Sequence, residues 1–305
     1  METVTEQEWA DVERTLQDEG PYSVVPISYS IEYSEKMDIL RTLMKNNEKS
    51  ERALKLTEEI IAMSPSNYVI WKYRQEIVKE LNVDLKSELD LFTNYAKENP
   101  KCYQLWHYRQ LIIEKLNDPL NELKFIEEML KGDDLKNYHA WSYREWIVKH
   151  FDLWKEEFEF STSMVKYDDR NNAAWNYRFF ILSESPYHDI NEYLKDEIEF
   201  SKQKINFDPT NPSPWMYLRG IIEKSKYELA EFADELLPFC EFLQRNEFYK
   251  YALEFQLKVN ESILKTLKSE KEQEQQKDIC RSLCSKLEEY DKIRRKYWKF
   301  IRESY

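Results

Sequence analysis

Glycine is almost missing from this chain, with Gly20, Gly132 and Gly220 the only three in 305 residues. Tight β turns and phosphate-cradling loops both draw on glycine's access to positive φ, so the scarcity favours an all-α reading over a β-rich one. There is no glycine-rich nucleotide loop, nucleophile elbow or paired-carboxylate motif. Histidine is nearly as sparse: His107, His139, His150 and His188 lack paired ligand spacing and form no cluster with the cysteines, so no metal site is expected within the chain. The four cysteines, Cys102, Cys240, Cys280 and Cys284, are unevenly scattered, and no secretory signal opens the sequence. That combination points to reduced thiols in a cytoplasmic protein without a disulfide framework. Cys280 and Cys284, four apart on one helix face, read as small apolar residues turned to a neighbouring helix rather than as ligands. The formal net charge is −13. Duplex affinity comes from clustered Lys and Arg, so a general nucleic-acid binder is disfavoured, while one local basic pocket stays compatible. No apolar run approaches the roughly 18 to 20 residues that span a bilayer, so no transmembrane segment is expected. The terminal Arg-Glu-Ser-Tyr carries no lipidation box.

What the sequence has instead is a period. Trp71, Trp106, Trp141 and Trp175 stand 35, 35 and 34 residues apart, and Trp215 follows after 40. Four residues before each lies Asn67, Cys102, Asn137, Asn171 or Asn211; three residues after lies Arg74, Arg109, Arg144 or Arg178, with Leu218 in the fifth unit and Arg219 displaced by one. Such a period implies stacked units, each too small to bury its own apolar face. The fold class expected is all-α, a right-handed superhelical stack of antiparallel helical hairpins of tetratricopeptide-like form. A tetratricopeptide array proper is disfavoured, because those repeats rely on small residues at helix crossings where this chain places Tyr, Arg and Trp.

Residues 1–33 mix acids with Gly20-Pro21, Pro26 and several tyrosines, and predict an extended or partly disordered lead. Residues 34–305 are expected to form one helical-repeat domain, opening with a capping helix from Glu35. Helices are then predicted over 50–63 and 67–81, 84–98 and 101–116, 119–130 and 136–151, 153–167 and 170–182, and 190–207 and 214–223. The breaks between them fall at Ser64-Pro65-Ser66, Asn99-Pro100, Gly132-Asp133-Asp134, Asp168-Asp169 and Asp208-Pro209. Breaks of two to six residues make each pair antiparallel. Beyond Lys226 helices are expected over 232–243, 248–267 and 278–301, with Lys268–Lys277 a mobile link and Tyr297-Trp298-Lys299-Phe300-Ile301 a docked anchor.

At about 100° per residue, positions 0, 4, 7 and 11 of a helix fall within one narrow arc. In the third unit these are Asn137, Trp141, Arg144 and Val148. A guanidinium beside tryptophan can stack on the indole and still offer its donors to a carboxylate or carbonyl of the next unit. The asparagines stand where helices begin and can cap them, at about 1 kcal/mol each. Asn, Trp and Arg therefore read first as mortar between units, and Cys102 should cost its helix a cap unless a neighbour compensates.

Asn-Tyr-Val-Ile-Trp-Lys-Tyr-Arg from Asn67, Tyr-Gln-Leu-Trp-His-Tyr-Arg from Tyr103, Lys-Asn-Tyr-His-Ala-Trp-Ser-Tyr-Arg-Glu-Trp from Lys136 and Arg-Asn-Asn-Ala-Ala-Trp-Asn-Tyr-Arg from Arg170 resemble the repeats of one family. It is the α subunit shared by protein farnesyltransferase and protein geranylgeranyltransferase type I. Ser50 to Thr57 and, more loosely, Ile293 to Trp298 extend the likeness, which is weakest between Lys226 and Ser285. The resemblance implies a heterodimer with a β subunit that holds the catalytic zinc and most of the isoprenoid pocket. It implies transfer of a farnesyl or geranylgeranyl group from an isoprenoid diphosphate to a cysteine in the C-terminal CaaX box of target proteins; any Mg²⁺ requirement stays open. It places Lys136 as the catalytic residue, stabilising the departing diphosphate. Tyr138 and Asn171, with Tyr103, Gln104 and His139 as weaker candidates, are expected to bind substrate. Arg144, Trp175, Trp141 and Asn137 match positions expected to hold the helices. Lys101, in the same place one unit earlier, serves as a control. Two other readings stand beside this one: a noncatalytic repeat scaffold, and the α subunit of the geranylgeranyltransferase that modifies Rab proteins.

Overall fold

A computed structural model of the protein describes residues 8–22, 24–132, 134–245 and 247–305. Among the described residues all regular structure is helical, with fifteen α-helices, two short 3-10 turns and no strand. The chain divides into two compact units, Met1–Ile147 and Val148–Tyr305, each described by itself below.

In the first unit α1 is Ile31–Lys45, α2 Glu51–Met63, α3 Tyr68–Glu80, α4 Leu85–Glu98, α5 Tyr103–Leu116 and α6 Glu122–Leu130; α7, Tyr138–Phe151, begins there. Several of these starts have a side-chain cap. The side chains of Ser50, Asn67 and Asp84 accept from Ala53, Val69 and Ser87 N–H and so satisfy donors that a first helical turn leaves orphaned. The helix exits explain how the chain manages with so little glycine. Asn47, Asn82, Asn117 and Asp152, spaced at 35 residues, adopt left-handed backbone with φ between 50° and 56°. Asn and Asp are the residues that tolerate this conformation best after glycine. Asp133, in the predicted break before α7, lies outside the described residues, as do residues 1–7 of the predicted lead. Between Trp9 and Thr15 that lead is tied to the helices: Trp9 is buried under the Arg52 guanidinium, Arg52 pairs with Asp11, and Thr15 N donates to Thr42 Oγ1 at 2.9 Å, whereas Leu16, Tyr22, Val24 and Val25 are exposed. α1 starts at Ile31, four residues before the sequence pattern suggested, because Ser30 caps it.

In the second unit α8 is Glu157–Tyr167, α9 Asn172–Glu184, α10 Ile190–Phe207, α11 Pro212–Lys224, α12 Ala233–Leu243, α13 Lys250–Thr266, α14 Glu270–Tyr290 and α15 Arg295–Glu303. Two sequence expectations are corrected here. Residues 270–277 are not a mobile link but the first turns of α14: Glu, Gln and Lys are strong helix formers, and Gln276 donates to Asn260 Oδ1 at 2.6 Å to hold the segment on α13. The predicted helix over 278–301 is two helices broken at Asp291, whose carboxylate accepts from Arg294 Nε at 2.6 Å and Trp298 Nε1 at 2.9 Å. Of the predicted anchor, Trp298 is buried and Ile301 partly so, whereas Tyr297, Lys299 and Phe300 are exposed.

The joints between repeats reuse one set of contacts. Each stripe tryptophan is buried, and Trp71, Trp106 and Trp175 each pack on a phenylalanine of the next repeat's first helix and a tyrosine of its second, while Trp215 meets Phe239 and Phe255. Trp71 meets Phe92 and Tyr108 at ring-centroid distances of 4.9 and 5.1 Å; Trp175 meets Phe200 and Tyr217 at 5.6 and 5.0 Å. The indole N–H always donates to the carbonyl six residues upstream: Pro65, Pro100, Leu135, Asp169 and Pro209 in turn. Arg74, Arg109 and Arg178 lie over phenylalanine rings rather than on the indoles as expected. Arg74 lies over Phe92, Arg109 over Phe125, and Arg178 over Phe158 and Phe200, because the indole faces are already filled by the aromatic contacts.

The arginines' donors go to buried carboxylates that the sequence pattern left unidentified. Arg74 binds Glu88, Arg109 binds Glu122 and Arg178 binds Glu197, each through two nitrogens. The same carboxylates accept from Tyr108, Tyr143 and Tyr217. A carboxylate with three donors is satisfied well enough to sit in a core, where an unpaired one would be costly.

Candidate functional site

The turn that carries Lys136 is fixed from both sides. The residue before it, Leu135, gives its carbonyl to the Trp141 indole at 3.0 Å. The residue after it, Asn137, is buried; its Oδ1 accepts from Ala140 N at 3.0 Å, while its Nδ2 donates to Pro100 O at 3.0 Å and Asp134 Oδ2 at 3.2 Å. Trp141 and Asn137 thus hold Lys136 by its backbone at the entrance to α7 and leave its side chain exposed. Among the described residues it has no ion-pair partner. Asp134, the nearest acid in sequence that the structure describes, is engaged by Asn137 and lies 3.9 Å from the Lys101 ammonium. Arg170, in the matching place before α9, pairs with Asp208 and also donates to Thr210 Oγ1 at 2.9 Å.

Tyr138 and His139 open α7. Tyr138 is 70 % exposed, and Tyr103, which opens α5, is 67 % exposed. His139 bridges them, with its ring 4.2 Å from Tyr103 and 5.6 Å from Tyr138, edge to face in both cases. Burial of the imidazole holds the His139 pKa below its ordinary value, so the ring is neutral near pH 7. Gln104, at the same place in α5, is half-buried and stands 3.6 Å from the Cys102 thiol. An exposed lysine therefore stands two residues before the exposed tyrosine that opens α7, at a helix start where the dipole favours an anion. That is a setting for a phosphate-bearing ligand flanked by apolar or peptide surface.

Arg144, nearly two turns into α7, is buried and donates from Nη1 to Leu123 O at 3.0 Å. In the second unit Asn171 is buried and caps α9 through Ala173 N at 3.1 Å, and Trp175 donates to Asp169 O at 2.8 Å. They reproduce there the turn that Asn137 and Trp141 build before α7.

Cys102 shows the division of labour in the asparagines. Asn137 caps its own helix with oxygen and ties itself to the previous turn with nitrogen; Asn211 does likewise through Ser213 N and Asp169 O. Cys102 makes no cap for α5, yet its thiol reaches Pro65 O at 3.1 Å and keeps the tie. Sequence reasoning missed the glutamates and tyrosines of the joints. The tyrosine signal was visible, since Tyr73, Tyr108, Tyr143, Tyr177 and Tyr217 each stand two residues after a stripe tryptophan. Among the described residues no group of three or more His, Cys, Asp or Glu side chains is placed to hold a metal ion.

Five segments, 50–81, 85–116, 119–151, 154–185 and 194–225, match the family model for the protein prenyltransferase alpha subunit repeat. The protein farnesyltransferase/geranylgeranyltransferase type-1 subunit alpha of Solanum lycopersicum is 45% identical over 92 residues, 30% of this chain and 27% of that protein. The protein of the same name from Schizosaccharomyces pombe is 36% identical over 82 residues, 27% of this chain and 28% of that protein. The matched stretches thus span about a quarter of these relatives' length. A solved structure described as Candida albicans protein geranylgeranyltransferase-I complexed with GGPP is similar with a TM-score of 0.83 at 33% identity, over 96% of this chain and 97% of that one.

Proposed function

This chain belongs to the protein prenyltransferase alpha-subunit family, and from that membership we propose that it works with a β subunit to transfer a farnesyl or geranylgeranyl group from its diphosphate to a CaaX cysteine. The observation that carries the proposal is Lys136: a cation fixed by its backbone, without an ion-pair partner among the described residues, at a helix start flanked by Tyr138, Tyr103 and His139. As the bond from isoprenoid carbon to diphosphate oxygen breaks, negative charge grows on the leaving group. An ammonium already in place stabilises that state more than the ground state and so accelerates the step. The phenol of Tyr138 is assigned to the same substrate region as a donor. Tyr103, Gln104 and His139 are assigned to the tail of the protein substrate, and Asn171 to the substrate region.

Arg144, Trp141, Asn137 and Trp175 are assigned as supporting residues in this scheme: all four are buried, and their described bonds are made within the chain. From family membership the zinc is assigned to the β subunit, and no step is derived through it here. The exposed tyrosines Tyr68, Tyr103 and Tyr138, each at the first residue of α3, α5 or α7, form an aromatic surface suited to cover by such a partner. The reaction is assigned to the cytoplasm.

The test is co-expression with a candidate β subunit, followed by assay of the purified complex on a Cys-tailed peptide with each isoprenoid diphosphate. Transfer by the complex and by neither chain alone is expected. A stable complex without transfer would leave a scaffold in place of an enzyme.

A further inference from the structure

The end of the chain departs from its overall charge. In the eleven positions from Lys292 to Arg302 there are six basic residues and no acidic one, in a protein whose formal net charge is −13. Two of the six are used internally: Arg294 binds Asp291 and Glu254, and Arg302 lies 3.0 Å from Glu288. Lys299 has only a loose, exposed neighbour, Glu303 at 3.8 Å. Lys292, Arg295 and Lys296 are exposed and have no ion pair among the described residues.

Large apolar side chains stand among these cations. Ile293 is 94 % exposed and Phe300 69 %, and Tyr297 is exposed as well. With about 100° per residue, Lys296 and Phe300 fall on the side of α15 opposite Trp298, flanked by Tyr297 and Lys299. The inward side is firmly seated. Trp298 packs into a cluster with Leu253, Leu257, Cys280 and Cys284, and its indole bonds to buried Asp291. The Tyr305 hydroxyl reaches Glu261, and Arg281 donates to Tyr305 O at 2.6 Å. The outward side is therefore a rigid basic and apolar surface that no other part of the unit covers.

We propose that Lys292, Ile293, Arg295, Lys296, Lys299 and Phe300 form a docking surface for an anionic lipid bilayer. Charge complementarity supplies the attraction: cations held near a negative leaflet gain from its surface potential, and within a Debye length of about 8 to 10 Å the local patch outweighs acids farther off. The apolar side chains choose the source of the negative charge. A free phosphate or a polyanion has no use for an exposed Phe and Ile, whereas a bilayer takes such groups into the acyl boundary while Lys and Arg stay among the headgroups. The inference is independent of the transfer reaction.

The experiment is vesicle co-sedimentation of the full-length chain, in whatever complex it purifies, with phosphatidylcholine vesicles and with vesicles that also contain phosphatidylserine. Binding to the second and not the first is expected, weakening as salt rises and insensitive to inorganic phosphate at matched ionic strength. Lys292→Glu, Lys296→Glu and Lys299→Glu together should abolish it, each removed cation costing about fivefold in partitioning. Phe300→Ser should weaken it at unchanged charge. Melting temperature and far-ultraviolet circular dichroism report whether the variants keep their fold; should the triple variant not fold, the lipid and salt dependence of the parent chain and the Phe300→Ser result still decide. Absence of phosphatidylserine-dependent binding by the parent chain, or equal binding by folded variants, overturns the proposal. So does a triple variant that sheds its co-purified partner while the parent ignores vesicles, which would assign the patch to a protein interface.

Discussion

The turns before α5 and α7 are built alike and end differently. Each places a lysine two residues before the helix, a buried capping-position residue after it, and an indole that ties the backbone down. Lys101 has Asp134 at 3.9 Å, while Lys136 has no ion-pair partner among the described residues. The residue after the opening tyrosine is Gln104 in one and His139 in the other. The difference teaches where to look in a repeat protein: the shared features build the joint, and chemistry enters where one copy departs from the rest.

The comparison can be broken at the joint itself. Glu122 takes both Arg109 and Tyr143, so it fastens α5 to α7 through α6. Glu122→Ala leaves a buried guanidinium unpaired and is expected to cost about 3 to 5 kcal/mol, read as a lowered denaturation midpoint. An unchanged midpoint would mean the carboxylate is not part of the joint.

A smaller change should make the two turns more alike. Cys102→Asn gives α5 the cap it lacks while an amide N–H replaces the thiol on Pro65 O, for an expected gain of about 1 kcal/mol. A loss of stability would show that the sulfur's apolar packing matters more than the cap.

The smallest effect is the titration of His139, which stands at the position that Gln104 occupies at the start of α5. Burial lowers the His139 pKa, so its neutral form is favoured by folding. Its contribution to stability is complete above the unfolded value near 6.5 and is lost as pH falls through the folded one. Its imidazole resonances should titrate below 6.5, and Tyr103→Ala, which opens the ring to water, should move that midpoint upward. A midpoint at or above 6.5 in the parent chain contradicts the burial.

Much of this was legible because tryptophan spacing reports stacking directly, and helix starts at Ser50, Asn67 and Asp84 have side chains that announce them. The glutamates were not legible. Glu88 follows Arg74 by 14 residues but Glu197 follows Arg178 by 19, chiefly because α10 begins about one turn earlier relative to its glutamate than α4 does, which breaks the period. The polar run after Lys268 looked like a tether because composition alone does not distinguish a solvated helix from a loop; the bond from Gln276 to Asn260 decides it. The exposed half of α15 was hidden for a related reason. An aromatic run reads as core unless the single residue that docks, Trp298, is separated from neighbours that face water.

For the central claim, the most direct measurement is turnover of the assembled α and β complex at saturating substrates with Lys136→Ala and, in parallel, Lys101→Ala. Loss of one electrostatic contact to the departing diphosphate should lower turnover roughly 10 to 1,000-fold for Lys136→Ala, with heterodimer and melting temperature unchanged, while Lys101→Ala stays within about twofold. Parent-like turnover for Lys136→Ala, or an equal fall for both variants, would contradict the assignment.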